Sequence, residues 1–82
     1  MNDKDEILKG VSDIFKRELE DPGLIISYTS SPDSIEKWDS ITNLILINAI
    51  EETYQISFPV DVIFKIEKVG DICDFIAANG KS

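Results

Sequence analysis

A β-strand persists only beside another strand, and this chain contains a single strand-like run, Leu24-Ile25-Ile26-Ser27-Tyr28-Thr29, with no second run to pair with it. The other long apolar patterns repeat at three- and four-residue intervals, the period of a helix. The sequence therefore predicts an all-α fold. Residues 24–29 become an extended loop tied down by apolar anchors, and Ile25, Ile26 and the later Ile35 are expected to keep it ordered.

From residue 3 to about residue 19, Ile7, Leu8, Val11, Ile14, Phe15 and Leu19 fall on one side, with Lys9, Asp13, Lys16 and Arg17 opposite, which predicts an amphipathic helix. Gly10 inside it costs about 1 kcal/mol relative to alanine, so this helix depends on packing. Glu18 borders the apolar arc, and Glu20-Asp21-Pro22-Gly23 closes the segment, because proline has no N–H to continue a helix. A long connection follows, up to Trp38. Within it Ser31-Pro32-Asp33-Ser34 suits a single helical turn, with Ser31 as cap and Pro32 in the first turn. Connections this long inside a small domain are usually functional when they are ordered.

Asp39 is a good N-cap for a helix over residues 40–54, which Gln55-Ile56-Ser57-Phe58-Pro59 breaks. Leu46, Ile47, Ile50 and Tyr54 form its core-facing arc; Ile41 and Ile45 point the other way, beside Asn48 and Glu52. Large apolar residues among acids on an outward face predict a docking surface. Val60-Asp61-Val62-Ile63-Phe64 predicts one or two further turns. Val69, Ile72, Cys73, Phe75 and Ile76 then predict a last helix, with Asp71 and Asp74 outward, Cys73 in the core and a stop at Asn79-Gly80. The expected architecture is a small four-helix bundle, three main helices plus one short helix, with a long loop after the first. Residues 1–82 are expected to form a single domain.

Charge and composition narrow the function. Sixteen acids against eight bases leave a net charge of -8, which repels nucleic acid and anionic membrane surfaces and suits a partner with a basic face. Between Lys37 and Lys65 there is no lysine or arginine, while Asp39, Glu51, Glu52 and Asp61 are present, so the negative field is least compensated there. With no histidine and one cysteine, a Cys/His dyad, an internal disulfide and the usual zinc sites are excluded. The polar start, Met-Asn-Asp-Lys-Asp-Glu, is unlike a signal segment, and no apolar run approaches the roughly 18 residues of a membrane span. A cytoplasmic monomer that is not an enzyme is the expectation.

Several stretches, in order, resemble the acyl carrier protein family over nearly the whole chain. Asp39-Ser40-Ile41 is similar to the Asp-Ser-Leu that opens the family's second helix, and Tyr54 stands fourteen residues after the serine, behind the acidic pair Glu51-Glu52. Ile56-Ser57-Phe58-Pro59 resembles the entry to the short third helix, and Lys68-Val69-Gly70-Asp71-Ile72-Cys73-Asp74-Phe75-Ile76 resembles the start of the fourth. The resemblance implies that a phosphopantetheinyl transferase attaches a 4'-phosphopantetheine arm, taken from coenzyme A, to Ser40, with Asp39 recognised by that transferase. The arm's thiol would carry acyl groups as thioesters for fatty-acid, polyketide or related biosynthesis, and acyl-loading and acyl-processing enzymes with basic or apolar docking faces would be the partners. A phosphate at this helix start would meet free backbone N–H groups, with Asp39 opposing it. Ile41, Thr42, Ile45, Asn48, Glu51 and Glu52 are the candidate docking residues.

Departures from the family pattern bear on the subtype. Thr42 and Ile45 stand where acids are common, so docking is expected to lean on apolar contact. Trp38 replaces a residue that is often small, as in specialised carriers, and either packs the loop or shapes the approach to Ser40. Asn43 falls on the inward side, where its amide needs a partner or borders a cavity, which argues against a deep pocket for long saturated chains. Glu67 and Lys68 replace threonines before the last helix, so a weaker N-cap is expected there. A peptidyl or aminoacyl carrier, and an unmodified helical adaptor that uses the same fold for protein–protein interaction, are the competing readings. A calcium-binding protein lacks the alternating ligands of an EF-hand loop.

Overall fold

Four helices carry the described residues, 3–79, of the computed structural model: α1 (Asp3–Glu18), α2 (Ser40–Tyr54), α3 (Val60–Lys65) and α4 (Val69–Asn79). No strand occurs among the described residues. On α1 the predicted apolar face is the buried one: Ile7, Val11, Ile14 and Phe15 turn inward, followed by Leu19 just past the helix, and the helix packs against both α2 and α4. Each such side chain contributes about 1.5–3 kcal/mol through the apolar surface it removes from water. Gly10 lies under the Tyr54 hydroxyl, which a larger residue would meet, so the weak point of α1 is where α2 crowds it. Lys16 and Arg17 in the last turn face the negative end of the helix dipole.

The termination of α1 differs in detail from the sequence expectation. Glu20 takes the left-handed conformation (φ 55°), its N–H donates to the Arg17 carbonyl (3.2 Å), and the Asp21 N–H donates to the Lys16 carbonyl (2.9 Å). These two bonds close the helix in the Schellman manner before Pro22 is reached. Proline and glycine thus follow the reversal rather than make it. The far end of α2 repeats the device with Gln55 (φ 57°) and an Ile56 N–H to Glu51 carbonyl bond of 3.2 Å.

The long loop is ordered, but not by all of the residues expected. Ile35 and Trp38 are buried, Leu24, Ile26 and Tyr28 are half-buried against the core, and Ile25 is 87% exposed and anchors nothing. In an extended segment successive side chains point to opposite sides, so Leu24 and Ile26 turn inward together and Ile25 must turn out. The predicted turn at Ser31 to Ser34 is present as a hydrogen-bonded turn. Its capping hydroxyl belongs to Ser34, which accepts from the Ser31 N–H (2.9 Å), instead of to Ser31.

The loop also closes the start of α4. The Val69 N–H donates to the Ser30 carbonyl (2.8 Å) and the Gly70 N–H to the Tyr28 carbonyl (2.7 Å), while the Asp71 carboxylate reaches back to the N–H groups of Glu67 (2.8 Å) and Lys68 (3.3 Å). The weak cap expected from Glu67 and Lys68 is therefore compensated, because N–H groups left without a side-chain cap are met by loop carbonyls. The Tyr28 hydroxyl donates to Asp74 on α4, which pushes its own pKa up to about 12. Lys4 Nζ lies 3.4 Å from the same carboxylate, tying α1 to this corner. Ile72, Cys73 and Ile76 fill the core beside Val69; burial pushes the Cys73 thiol up to about 11, leaving it an inert core residue. α4 ends at Asn79, and the expected stop at Gly80 lies outside the described residues.

Gly70 is where this contact is closest. A methyl group on it would stand 2.7 Å from the Tyr28 ring and 2.8 Å from the Tyr28 carbonyl oxygen. Gly70→Ala should therefore destabilise the fold by about 1–3 kcal/mol, the usual cost of forcing extra volume into a packed site. Urea unfolding would measure it, and an unchanged midpoint would mean the loop is not seated on α4 as described.

Candidate functional site

The start of α2 is built by a reciprocal pair, Asp39 and Thr42. Asp39 is the N-cap: its Oδ1 accepts from the N–H groups of Ile41 and Thr42 (both 2.9 Å), and its own N–H donates to Thr42 Oγ1 (2.8 Å), completing a capping box. Thr42 Oγ1 in turn donates to the Lys37 carbonyl (2.8 Å), which fixes the incoming chain. The hydrogen bonds from Thr42 and Ile41 stabilise the charged form of Asp39 and hold its pKa below the ordinary carboxylate value. Ser40 follows as the first helical residue, exposed, its hydroxyl engaged by no group among the described residues.

Trp38 both packs the loop and shapes the approach to Ser40. Its ring is buried and meets Phe15 of α1 edge-on, with centroids 5.0 Å apart and planes at 86°. Its Nε1 donates to Asn43 Oδ1 at 2.9 Å, giving the inward amide the partner that its position demands. Two depressions meet at Ser40. One, of about 170 Å³, lies between Trp38, Asn43, Pro32 and Ile66; the other, of about 390 Å³, is a trough between α2 and α3 walled by Ile41, Leu44, Val60, Ile63 and Phe64. Ser40 and Asn43 border both.

Of the candidate docking residues, Ile41 (71% exposed), Ile45, Asn48 and Glu52 face solvent. Thr42 is half-buried, and its hydroxyl serves the cap. Glu51 is half-buried too, and its carboxylate accepts from the Phe58 N–H at 2.7 Å, securing the chain that leads into α3. Leu44, Val60 and Phe64 (82% exposed) extend the same apolar surface and escaped the sequence reading. Their signal was present: α3 has only six residues, four of them apolar, and too short a helix buries one side only. α3 accordingly contributes no fully buried residue.

A short all-helical chain whose capped second helix offers an unengaged serine between two clefts has the form of a carrier. The chain belongs to the phosphopantetheine attachment site family, whose model matches residues 9–76. It is similar to the solution NMR structure of a holo acyl carrier protein from Geobacter metallireducens, with a TM-score of 0.80 and 28% sequence identity over 87% of this chain and 82% of that one. No curated protein sequence matches it. The protein is thus a carrier of the acyl carrier type, not an enzyme, and phosphopantetheine is its covalent prosthetic group.

The site fits such a group in one respect and not in another. An exposed hydroxyl beside an apolar trough suits a tethered arm with an apolar cargo. Most of the N–H groups that a phosphate would meet at a bare helix start are taken, because Asp39 already holds those of Ile41 and Thr42; the Ser40 N–H alone in this turn has no acceptor among the described residues. That part of the sequence expectation is narrowed: a cap built from the preceding residue consumes two of the donors that an anion would use and leaves the Ser40 N–H.

Because the folded-state pKa of Asp39 is depressed, its cap stabilises the protein above the ordinary value of 3.8 and is lost as pH falls through the lower folded value. Asp39→Ala should melt at a lower temperature than the parent near pH 6, and the gap should narrow steadily below pH 3.8. Thermal scans of both proteins across this range test it; a gap that stays constant in acid would contradict the charged cap.

Proposed function

We propose that Ser40 is the attachment point of the phosphopantetheine arm and that the carrier serves fatty-acid, polyketide or related biosynthesis. The observation that carries this reading is the unengaged Ser40 hydroxyl, held at the first position of α2 by the Asp39–Thr42 capping box and open to both clefts. Ser40 has no histidine to activate it, so a transferase must remove its proton while the serine oxygen takes the phosphopantetheinyl group of coenzyme A and the nucleotide leaves. Asp39 Oδ1 accepts all the capping bonds, leaving Oδ2 for the transferase and its metal. When bound, the arm supplies a thiol that holds acyl groups as thioesters. The chain itself positions that arm and offers the surface on which other proteins dock.

That surface is the outward side of α2 and the adjoining side of α3: Ile41, Leu44, Ile45, Val60 and Phe64, with Asn48, Glu52 and Asp61 around them. The absence of lysine and arginine between residues 37 and 65 leaves this part of the chain uniformly negative. Charge of one sign steers a basic partner, and the exposed isoleucines and phenylalanine supply the apolar contact once it arrives.

Incubation with a broad-specificity phosphopantetheinyl transferase and coenzyme A should raise the intact mass by one arm, and Ser40→Ala should abolish the gain. No gain would leave the adaptor reading standing, and a gain that survives the substitution would place the arm on a residue other than Ser40. Ile45→Lys should fold normally yet slow this modification, or the use of the loaded carrier by acyl-processing enzymes. If the variant instead loses its cooperative melting transition, Ile45 is part of the core and not of a docking face.

A further inference from the structure

Asn43 is held in one orientation and half of its hydrogen-bonding capacity is unused. The indole N–H of Trp38 can only donate, so the atom of Asn43 facing it at 2.9 Å must be the carboxamide oxygen. That leaves the Asn43 Nδ2 group, with two donors and no partner among the described residues. Asn43 is not an exposed residue, and yet no buried side-chain polar atom lacks a partner, so Nδ2 is open to solvent. The two depressions that Asn43 lines both adjoin Ser40. Trp38 cannot turn to release the amide, since its ring is buried against Phe15. An amide donor fixed in a largely apolar trough is matched by a carbonyl oxygen, and an alkyl chain alone would leave it unpaired.

We propose that Asn43 is a specificity-determining residue of the carrier site, its carboxamide N–H donating to a carbonyl oxygen brought into the cleft on the arm. The inference rests on attachment at Ser40. The tether makes the encounter intramolecular, at an effective concentration on the order of millimolar, so a single hydrogen bond is enough to bias where the arm rests. Two sources supply such an oxygen: the amide carbonyls of the arm, and a cargo oxygenated near its thioester. The trough of about 390 Å³ is at the small end of ligand sites, which suits short oxygenated acyl groups better than long saturated ones.

The test follows the side-chain amide protons of Asn43 by NMR in the apo protein, the holo protein, and protein loaded by a transferase with butyryl or acetoacetyl arms from the corresponding coenzyme A thioesters. Intact mass verifies each loading. Exchange of these protons with water should slow by roughly two- to tenfold. Slowing already present in the holo form assigns the acceptor to the arm, and slowing that first appears on loading assigns it to the cargo. In Asn43→Asp an acceptor for Trp38 is retained and a carboxylate replaces the donors, so a ¹³C-labelled acetoacetyl carbonyl should revert to its position in free acetoacetyl-pantetheine. Trp38→Phe keeps the ring, releases the amide, and should weaken the slowing in the loaded protein. Complete loading with an Asn43 amide identical in all four forms overturns the inference alone. Failure of the chain to gain any arm overturns the Ser40 attachment and this inference with it.

Discussion

The contact on which the site depends is the burial of Trp38 against Phe15. Residues 19–39 form one long connection, and a capping box by itself fixes only how α2 begins, not where it begins relative to α1. The edge-on indole, 5.0 Å from the Phe15 ring, supplies that missing constraint one residue before the cap, and its N–H extends the constraint to Asn43 one turn into α2. Aromatic pairs of this geometry are worth about 0.5–1.5 kcal/mol beyond the area they bury. The other half of the loop is fixed separately, by its carbonyls on the N–H groups of Val69 and Gly70. A segment held at both ends in this way behaves as part of the scaffold.

α2 then serves two surfaces at once. Its inner side places Leu46, Ile47 and Ile50 in the core, and its outer side leaves Ile41, Leu44 and Ile45 in water. A helix that is apolar nearly all round belongs inside a protein or against something else, and among the described residues α3 is the element that lies along the outer side. Six residues cannot do so: Val62 and Ile63 are half-buried, and Val60 and Phe64 remain exposed. The trough beside Ser40 is the space this shortfall leaves. The trough and the exposed apolar surface therefore have one origin, a helix pair too small to close on itself.

The helices, their boundaries, the core face of α1 and α4, and the Asp39 cap were legible in the sequence, because each follows from periodicity or from a local hydrogen bond that nearby residues can form alone. Ser40 was legible only through the ordered resemblance around it, since a serine after an aspartate carries no signal of its own. What could not be read depends on contacts between segments far apart in the chain. Ile25 looked like an anchor until the register of the loop turned it outward. The start of α4 looked poorly capped because its acceptors, the carbonyls of Tyr28 and Ser30, lie about forty residues away along the chain, as their numbers against Val69 and Gly70 show. The exposure of Val60 and Phe64 required knowing how little of α3 reaches the core. Left-handed closures at Glu20 and Gln55 were hidden for a different reason: the usual glycine is absent, and both are exposed polar residues whose type does not announce the conformation.

The cap at Asp39 also bears on how a carrier has to work. A helix start with free N–H groups would hold a phosphate firmly, and an arm gripped at its root would sweep less of the space that its partners must reach. Here the donors of Ile41, Thr42 and Asn43 are satisfied by Asp39, and a carboxylate stands beside the serine, so an anion attached there would find only the Ser40 N–H without an acceptor among the described residues. With the arm on Ser40, as proposed, little beyond the covalent bond would hold its root, and any hold on a cargo would fall to weak contacts in the trough and to a donor such as Asn43. A contact worth about 1 kcal/mol shifts an equilibrium by only a few-fold. A cargo sheltered that weakly would still be released often enough to be delivered, which strong binding by the carrier would prevent.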